Sequence, residues 1–203
     1  MIRDAELFVL AEQVLVEVLG RIRDEHWAIV IPPLFDVPGD AHPTPVRQLV
    51  QQYAYDDACV PDVLSGATMQ EVGADTFEGD LLGEDPIGSV RRIADAACAA
   101  ARQVTDGDRV VHSSYGGLSA WKYLRRVTIV RSFLAHYVAI YLGSTACPLP
   151  EELARPLWEL TAPEAGTWRL LGIFRDPLPL PDNVSWRDRF LLSAGHEPHP
   201  LGH

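Results

Sequence analysis

Apolar residues recur at helical spacing along most of this chain and divide it into separate amphipathic stretches. In the first stretch Leu7, Ala11, Leu15 and Val18 fall on one face of a helix spanning residues 4–25. The same periodicity predicts further long helices and then short ones, at 45–65, 87–104, 120–143, 151–161, 164–174 and 184–194. Residues 109–113 read as a short extended segment. The pattern therefore predicts an all-α fold with at most one short strand.

The helix predicted at 120–143 is apolar on nearly every side. One stripe along it alternates steps of four and three, and its members are Tyr123, Val127, Val130, Leu134, Tyr137 and Tyr141. A helix that is apolar nearly all round packs against neighbours on several sides. We therefore expect this helix to be the central one of the fold.

Helix starts are marked by capping residues. Thr44 precedes Pro45 and Asp85 precedes Pro86, which matches the preference of these residue types for the N-cap and the first helical position. Ser119 is predicted to cap the central helix in the same way.

The four long helices and the proline-rich C-terminal segment indicate one bundle with an extension. Four such helices predict an antiparallel four-helix bundle over residues 1–145. Residues 146–203 are predicted to form an extension of short helices packed on the same domain. Residues 66–85 are acidic but lack the spacing of an EF-hand, so we expect a structured surface loop.

Charge and cysteine usage disfavour several classes of function. The formal net charge of −11 would repel phosphate backbones and anionic membrane surfaces, so no nucleic acid and no membrane is expected as a partner. No apolar stretch is long enough to cross a membrane. The cysteines are scattered and form no CxxC pair, which predicts free thiols in a reducing, cytoplasmic location.

Several stretches resemble one protein family. They are VRQLVQQYAYDDACVPDVLSGAT (46–68), MQEVGADTFEGDLLGEDP (69–86), VVHSSYGGLSAWKYL (110–124), IYLG (140–143) and PLPLPDNVSWRDRFLLSAGHEPH (177–199). On these residues the chain resembles the DinB-like superfamily, in the branch of the mycothiol-dependent maleylpyruvate isomerase N-terminal domain. The resemblance covers about residues 5–199. It implies an antiparallel four-helix bundle with a cleft between helices two and four.

The resemblance also implies a divalent metal in that cleft, used together with mycothiol. The family's ligands are a histidine ending a V-R-[DE]-L-V-x-H pattern, and an acidic residue four positions before the histidine of an H-A-W-D motif. This chain has Gln52, Val130 and Leu134 at the matching positions, and Tyr137 stands at the motif's aspartate. Valine and leucine have no lone pair to donate, so no metal and no cofactor are predicted. His112 and the C-terminal histidines are the alternative ligands if a metal is retained.

Without these ligands the cleft is predicted to be a small-molecule pocket with apolar walls. Asp56 beside such walls is expected to have a raised pKa, which suits a general acid or base. The predicted catalytic residues are Asp56, Tyr137 and Tyr141, and the phenols would donate to a carbonyl or a developing enolate. The predicted substrate-binding residues are Gln52, Tyr55, Val127, Val130, Leu134, Arg131 and His112. Arg131 is expected to pair with Asp56 or with a substrate carboxylate. The alternative is that the stripe is plain helix core.

Three functional hypotheses remain open. The first is a metal-free isomerase or cyclase of specialised metabolism, which binds a small hydrophobic organic molecule and acts by acid–base or shape control. The second is a small-molecule-binding protein without catalysis. The third is a metal-dependent, mycothiol-linked isomerase or transferase. The sequence is equally compatible with a monomer and a homodimer.

Overall fold

The described chain is mostly helical, as predicted, but it contains two small antiparallel sheets where only one short strand was expected. The structure is a computed structural model that describes residues 1–35, 42–68, 71, 77, 79–114 and 116–199. Its contacts define two compact units. The first unit consists of Met1–Gly20 and Arg47–Arg131, and the second consists of Arg21–Val46 and Ser132–His203. The boundary predicted at residue 145 falls within the second unit.

The helices follow the predicted order. They are α1 (Arg3–Leu19), α2 (Val46–Ala58), α3 (Val60–Ser65), α4 (Pro86–Arg102), α5 (Ala120–Tyr141), α6 (Glu151–Thr161), α7 (Ala165–Leu170) and α8 (Trp186–Ser193). Short 3-10 turns lie at Asp24–His26 and Ala162–Glu164. The strands are β1 (Val30–Ile31), β2 (Thr44–Pro45), β3 (Val110–Ser113) and β4 (Gly116–Ser119). None of the described helices has both the length and the apolar character of a membrane span.

The first unit is built on the apolar faces of α1 and α3, both of which pack on α4. Its core also takes in the first half of α5, and Phe8, Val60, Leu64, Ala97, Ala101, Tyr123, Leu124 and Val127 are among its buried members. The alanines of α4 have short side chains, which allows the neighbouring helices to approach closely. β3 pairs with β4 in antiparallel register, with Val111 opposite Leu118, and also packs on α3.

Two helix ends follow directly from local chemistry. The Asp85 Oδ1 accepts a hydrogen bond from the Gly88 N–H at 3.0 Å, and Pro86 stands just inside α4, as predicted. The helix predicted at 45–65 is interrupted between α2 and α3, next to Pro61. Proline has no N–H to continue the ladder of helical hydrogen bonds, which is consistent with the interruption. The first helix ends at Leu19 and not at residue 25.

Two predicted caps are not formed. Thr44 and Pro45 form β2, which pairs with β1, so the following helix begins at Val46. Ser119 is the last residue of β4, and its buried hydroxyl oxygen has no hydrogen-bond partner among the described residues. The prediction was wrong at both places because strand pairing, a tertiary contact, prevails over the local cap signal.

The second unit gathers aromatic rings around Phe133. This ring stacks on Phe190 with centroids 5.1 Å apart, and it makes edge contacts with Phe35 at 6.1 Å and with Phe174 at 5.9 Å. Helix α6 packs on α8. Parts of the predicted acidic loop, at 69–70, 72–76 and 78, lie outside the described residues.

Candidate small-molecule site

The first unit contains a pocket lined by residues of α2, α3 and α5 and of the β3–β4 hairpin. The lining residues are Tyr55, Asp56, Cys59, Val63, Ser113, Ser114, Tyr123, Val127, Val130 and Arg131. Three valines and two tyrosines are half of the ten lining residues, and the charged ones are Asp56 and Arg131. The pocket volume is about 90 Å³. Such a volume suits a compact ligand of a few heavy atoms better than a drug-sized molecule.

Arg131 lines this pocket although its side chain is only 2% exposed. Its guanidinium is held by carboxyl groups from two other helices. Asp57 Oδ1 accepts from Nη2 at 2.7 Å and from Nε at 3.1 Å, and Glu12 Oε1 accepts from Nε at 3.2 Å. The Tyr53 hydroxyl donates to Glu12 Oε2, and its ring centroid lies 4.8 Å from the guanidinium carbon. We call Glu12, Tyr53, Asp57 and Arg131 the buried charge cluster.

Burial and the neighbouring charges shift the pKa values of Glu12 and Arg131. Burial, followed by the negative charge of Asp57, raises the pKa of Glu12 well above its ordinary value, although Arg131 opposes this change. Glu12 therefore keeps its proton to a higher pH than a solvated carboxyl group does. Burial by itself would lower the pKa of Arg131, but the charges of Asp57 and Glu12 outweigh it and raise that pKa. The guanidinium is thus a permanent positive charge beside the pocket.

Asp56 is the partly exposed carboxyl group of the lining. Its Oδ2 lies 3.9 Å from Arg131 Nη1, and 47% of its side-chain surface is exposed. Partial desolvation raises the pKa of Asp56, and this effect exceeds the opposing influence of the Arg131 charge. This upward shift of the pKa is the direction predicted from the apolar residues around Asp56. A carboxyl group with a raised pKa exchanges protons closer to neutral pH than an ordinary aspartate.

The thiol and the buried phenol of the lining are neutral groups. Burial raises the pKa of Cys59 to about 11, so this thiol stays protonated at neutral pH and is a poor nucleophile. Burial also raises the pKa of Tyr123 well above that of a free phenol. Neither group is therefore ionised at neutral pH.

The structure brings together five of the predicted site residues in this pocket, namely Tyr55, Asp56, Val127, Val130 and Arg131. Arg131 approaches Asp56 as expected, but its shorter contacts are to Asp57 and Glu12. Gln52 is exposed on α2, outside the pocket lining. His112 is exposed on β3, next to a serine that lines the pocket.

The other predicted residues belong to the second unit. Leu134 is buried, and Tyr141 is half-buried at the end of α5. The Tyr137 hydroxyl accepts from Arg175 Nη1 at 3.1 Å and lies 2.9 Å from His196 Nδ1, to which its own proton can be donated. These hydrogen bonds give Tyr137 a structural role within the second unit.

The residues at the positions of the family's metal ligands do not fit a divalent metal. Val130 and Leu134 offer only hydrocarbon, and Gln52 is an exposed amide. A protein metal site needs several nitrogen, oxygen or sulfur donors around one point. Across the part of the chain that the structure describes, no group of at least three His, Cys, Asp or Glu side chains is placed to hold a metal ion.

Glu12, Tyr53 and Asp57 are residues of the site region that the sequence patterns did not identify. Glu12 lies between Phe8 and Leu15 on the buried face of α1, so a carboxyl group interrupts an apolar stripe. That interruption is a usable signal, because a charge is retained in an interior only when it is paired. The hairpin serines have no comparable signal, since only the fold brings them to the pocket.

Comparison of the chain with protein-family models, with curated proteins and with solved structures finds no match. The resemblance to the DinB-like superfamily stays a prediction from the motifs quoted above. The pocket and the buried charge cluster are the features from which a function can be inferred.

Proposed function

We propose that this chain is a metal-free member of the DinB-like superfamily, with an antiparallel four-helix bundle and a pocket for a small, largely hydrophobic organic molecule. Helices α1, α2, α4 and α5 correspond to the four long helices predicted for that bundle. The observation that carries the proposal is a pocket with valine and tyrosine walls and the partly exposed carboxyl group of Asp56. Apolar walls with a few placed polar groups are the usual composition of a small-molecule site.

The favoured activity is an isomerisation or a cyclisation by acid–base catalysis. In such a step the Asp56 carboxylate takes a proton from one atom of the substrate and returns it to another, so no proton is consumed overall. The raised pKa of Asp56 supports this role because both protonation states are accessible closer to neutral pH. Arg131, at 3.9 Å, favours the ionised form of Asp56, which is the form present before the first transfer and after the second.

A variant that fills the pocket tests the site. Val130→Phe adds a ring at a lining position, so compounds that bind the wild-type protein should no longer bind. Ligand-observed NMR with a library of small apolar compounds measures this loss. Leu170→Phe is the matched control, because it adds the same ring at a position that is 91% exposed in the second unit. Equal binding to the wild type and to Val130→Phe would contradict the proposal.

Asp56→Asn separates catalysis from binding. For an enzyme, conversion of a compound to product stops in this variant even at compound concentrations that saturate the pocket. Binding without conversion of any bound compound by the wild type would favour the non-catalytic alternative. Plasma mass spectrometry on protein offered zinc and nickel tests the metal-dependent alternative. About one tightly bound metal per chain, with activity lost to a chelator, would contradict the metal-free proposal.

A further inference from the structure

We propose that the ligand of this pocket carries a cationic group, a protonated amine or a quaternary ammonium, which lies against the Asp56 carboxylate while its alkyl part contacts the valine and tyrosine walls. The inference rests on the proposed function, because it names the chemistry of a ligand for the same pocket. It does not depend on whether the ligand is converted or only bound.

The charges around the pocket are out of balance. Three carboxyl groups, those of Glu12, Asp56 and Asp57, share the guanidinium of Arg131. Asp57 takes the shortest contacts, at 2.7 and 3.1 Å, so the charge of Arg131 is already balanced inside the buried charge cluster. Asp56, at 3.9 Å, is beyond hydrogen-bonding distance. Its carboxylate therefore remains in excess even when Glu12 holds a proton.

The cluster is also short of hydrogen-bond donors. Asp57 Oδ2 is fully buried and has no hydrogen-bond partner among the described residues. Arg131, the cation of the pocket lining, donates three hydrogen bonds to Asp57 and Glu12. Asp57 does not line the pocket, so a ligand cation would offset this negative charge from its place beside Asp56 and not by bonding to Asp57.

The walls suit an organic cation better than an anion or a neutral molecule. Tyr55 and Tyr123 contribute aromatic surface, and aromatic rings attract cations. The valines of the lining give an alkyl chain a surface on which to leave water. A neutral ligand would strip water from Asp56 without replacing it, which is unfavourable.

The net charge of the chain also favours a cationic ligand. A formal charge of −11 attracts small cations and repels small anions before contact. This long-range effect is screened by salt, whereas contact with a partly desolvated carboxylate is screened less.

Three probes of equal chain length test the proposal: n-butylammonium, n-butanol and butyrate. Isothermal titration calorimetry of the wild-type protein at neutral pH should show n-butylammonium binding at least about tenfold more tightly than n-butanol, and no tighter binding of butyrate. In Asp56→Asn the affinity for n-butylammonium should fall to that for n-butanol, and the affinity for n-butanol should not weaken. Asp56→Glu, which keeps the charge, should retain the preference. Asp95→Asn is the matched control, because it removes an exposed carboxylate on α4.

The possible results are distinguishable. Equal binding of n-butylammonium and n-butanol, with Val130→Phe abolishing both, overturns the cationic ligand and leaves the apolar pocket intact. Tighter binding of butyrate overturns it as well, and indicates that Arg131 governs the pocket. A preference for n-butylammonium that Asp95→Asn weakens as much as Asp56→Asn does overturns the assignment to Asp56. Failure of all three probes to bind the wild-type protein overturns the proposed pocket together with the inference.

Discussion

Removal of the Arg131 guanidinium perturbs the buried charge cluster most directly. In Arg131→Met much of the alkyl chain is retained, but Glu12 and Asp57, which are 1% and 0% exposed, lose their common cation. Removing one partner of a buried ion pair costs about 3–5 kcal/mol, because it leaves a buried charge without compensation. That is a large share of the total stability of a domain, which is about 5–15 kcal/mol.

Urea unfolding followed by far-ultraviolet circular dichroism measures the loss. For a urea slope of about 2 kcal/mol per M, the midpoint should fall by about 2 M. The loss should be larger near about pH 8 than near about pH 5, because Glu12, whose pKa is raised by burial, takes up a proton at the lower pH. Arg3→Met is the control, because its ion pair with Glu6 is exposed and should contribute less than about 1 kcal/mol.

Two results would refute this reasoning. The first is a loss of less than about 1 kcal/mol in Arg131→Met, and the second is a loss that does not depend on pH. A triple variant, Glu12→Gln with Asp57→Asn and Arg131→Met, should recover at least half of the lost stability, because no charge then remains in the interior. A triple variant as unstable as the single one would show that packing, and not charge, accounts for the loss.

Other substitutions test the remaining contacts. Because the pKa of Glu12 is raised in the folded state, folding binds a proton, and this contribution is lost as pH rises from the unfolded value of about 4.3 through the folded value. Glu12→Gln should therefore flatten the decline of stability over that range, and parallel urea midpoints for both proteins at every pH would contradict this. Gly88→Ala places a Cβ 1.9 Å from Asp85 Oδ2, so it should displace the cap and cost about 1 kcal/mol by thermal unfolding. Gly166→Ala, which meets open space, is its control and should not destabilise the chain. Phe133→Ala should cost about 3–5 kcal/mol, and a loss near zero would show that the ring cluster of the second unit contributes little.

The helices were largely predictable because an apolar stripe is a local property of the sequence. The start of α4 followed from the side chain of Asp85, which needs only its own neighbours to form the cap. The caps at Thr44 and Ser119 failed for the opposite reason. Both residues belong to strands that pair with another segment of the chain, and the local propensity of a residue contains no information about such pairing.

The candidate site was predictable only in part. Val127, Val130 and Arg131 lie within about one turn of α5, so their common placement follows from helical geometry. Glu12 joins Arg131 from a helix more than a hundred positions away in the sequence, and no spacing rule spans such a separation. The carboxyl group within an apolar stripe signals that a partner exists, but it does not identify the partner.

The sequence alone determined the helical character, the order of the helices, the acidic charge and the lack of donor atoms at Val130 and Leu134. These are properties of residue types and of their spacing, and they hold before the chain folds. Only the tertiary structure decided that Asp57, and not the adjacent Asp56, is the main partner of Arg131. Neighbouring residues on a helix point about 100° apart, so packing alone determines which carboxylate is buried against the guanidinium and which remains partly exposed.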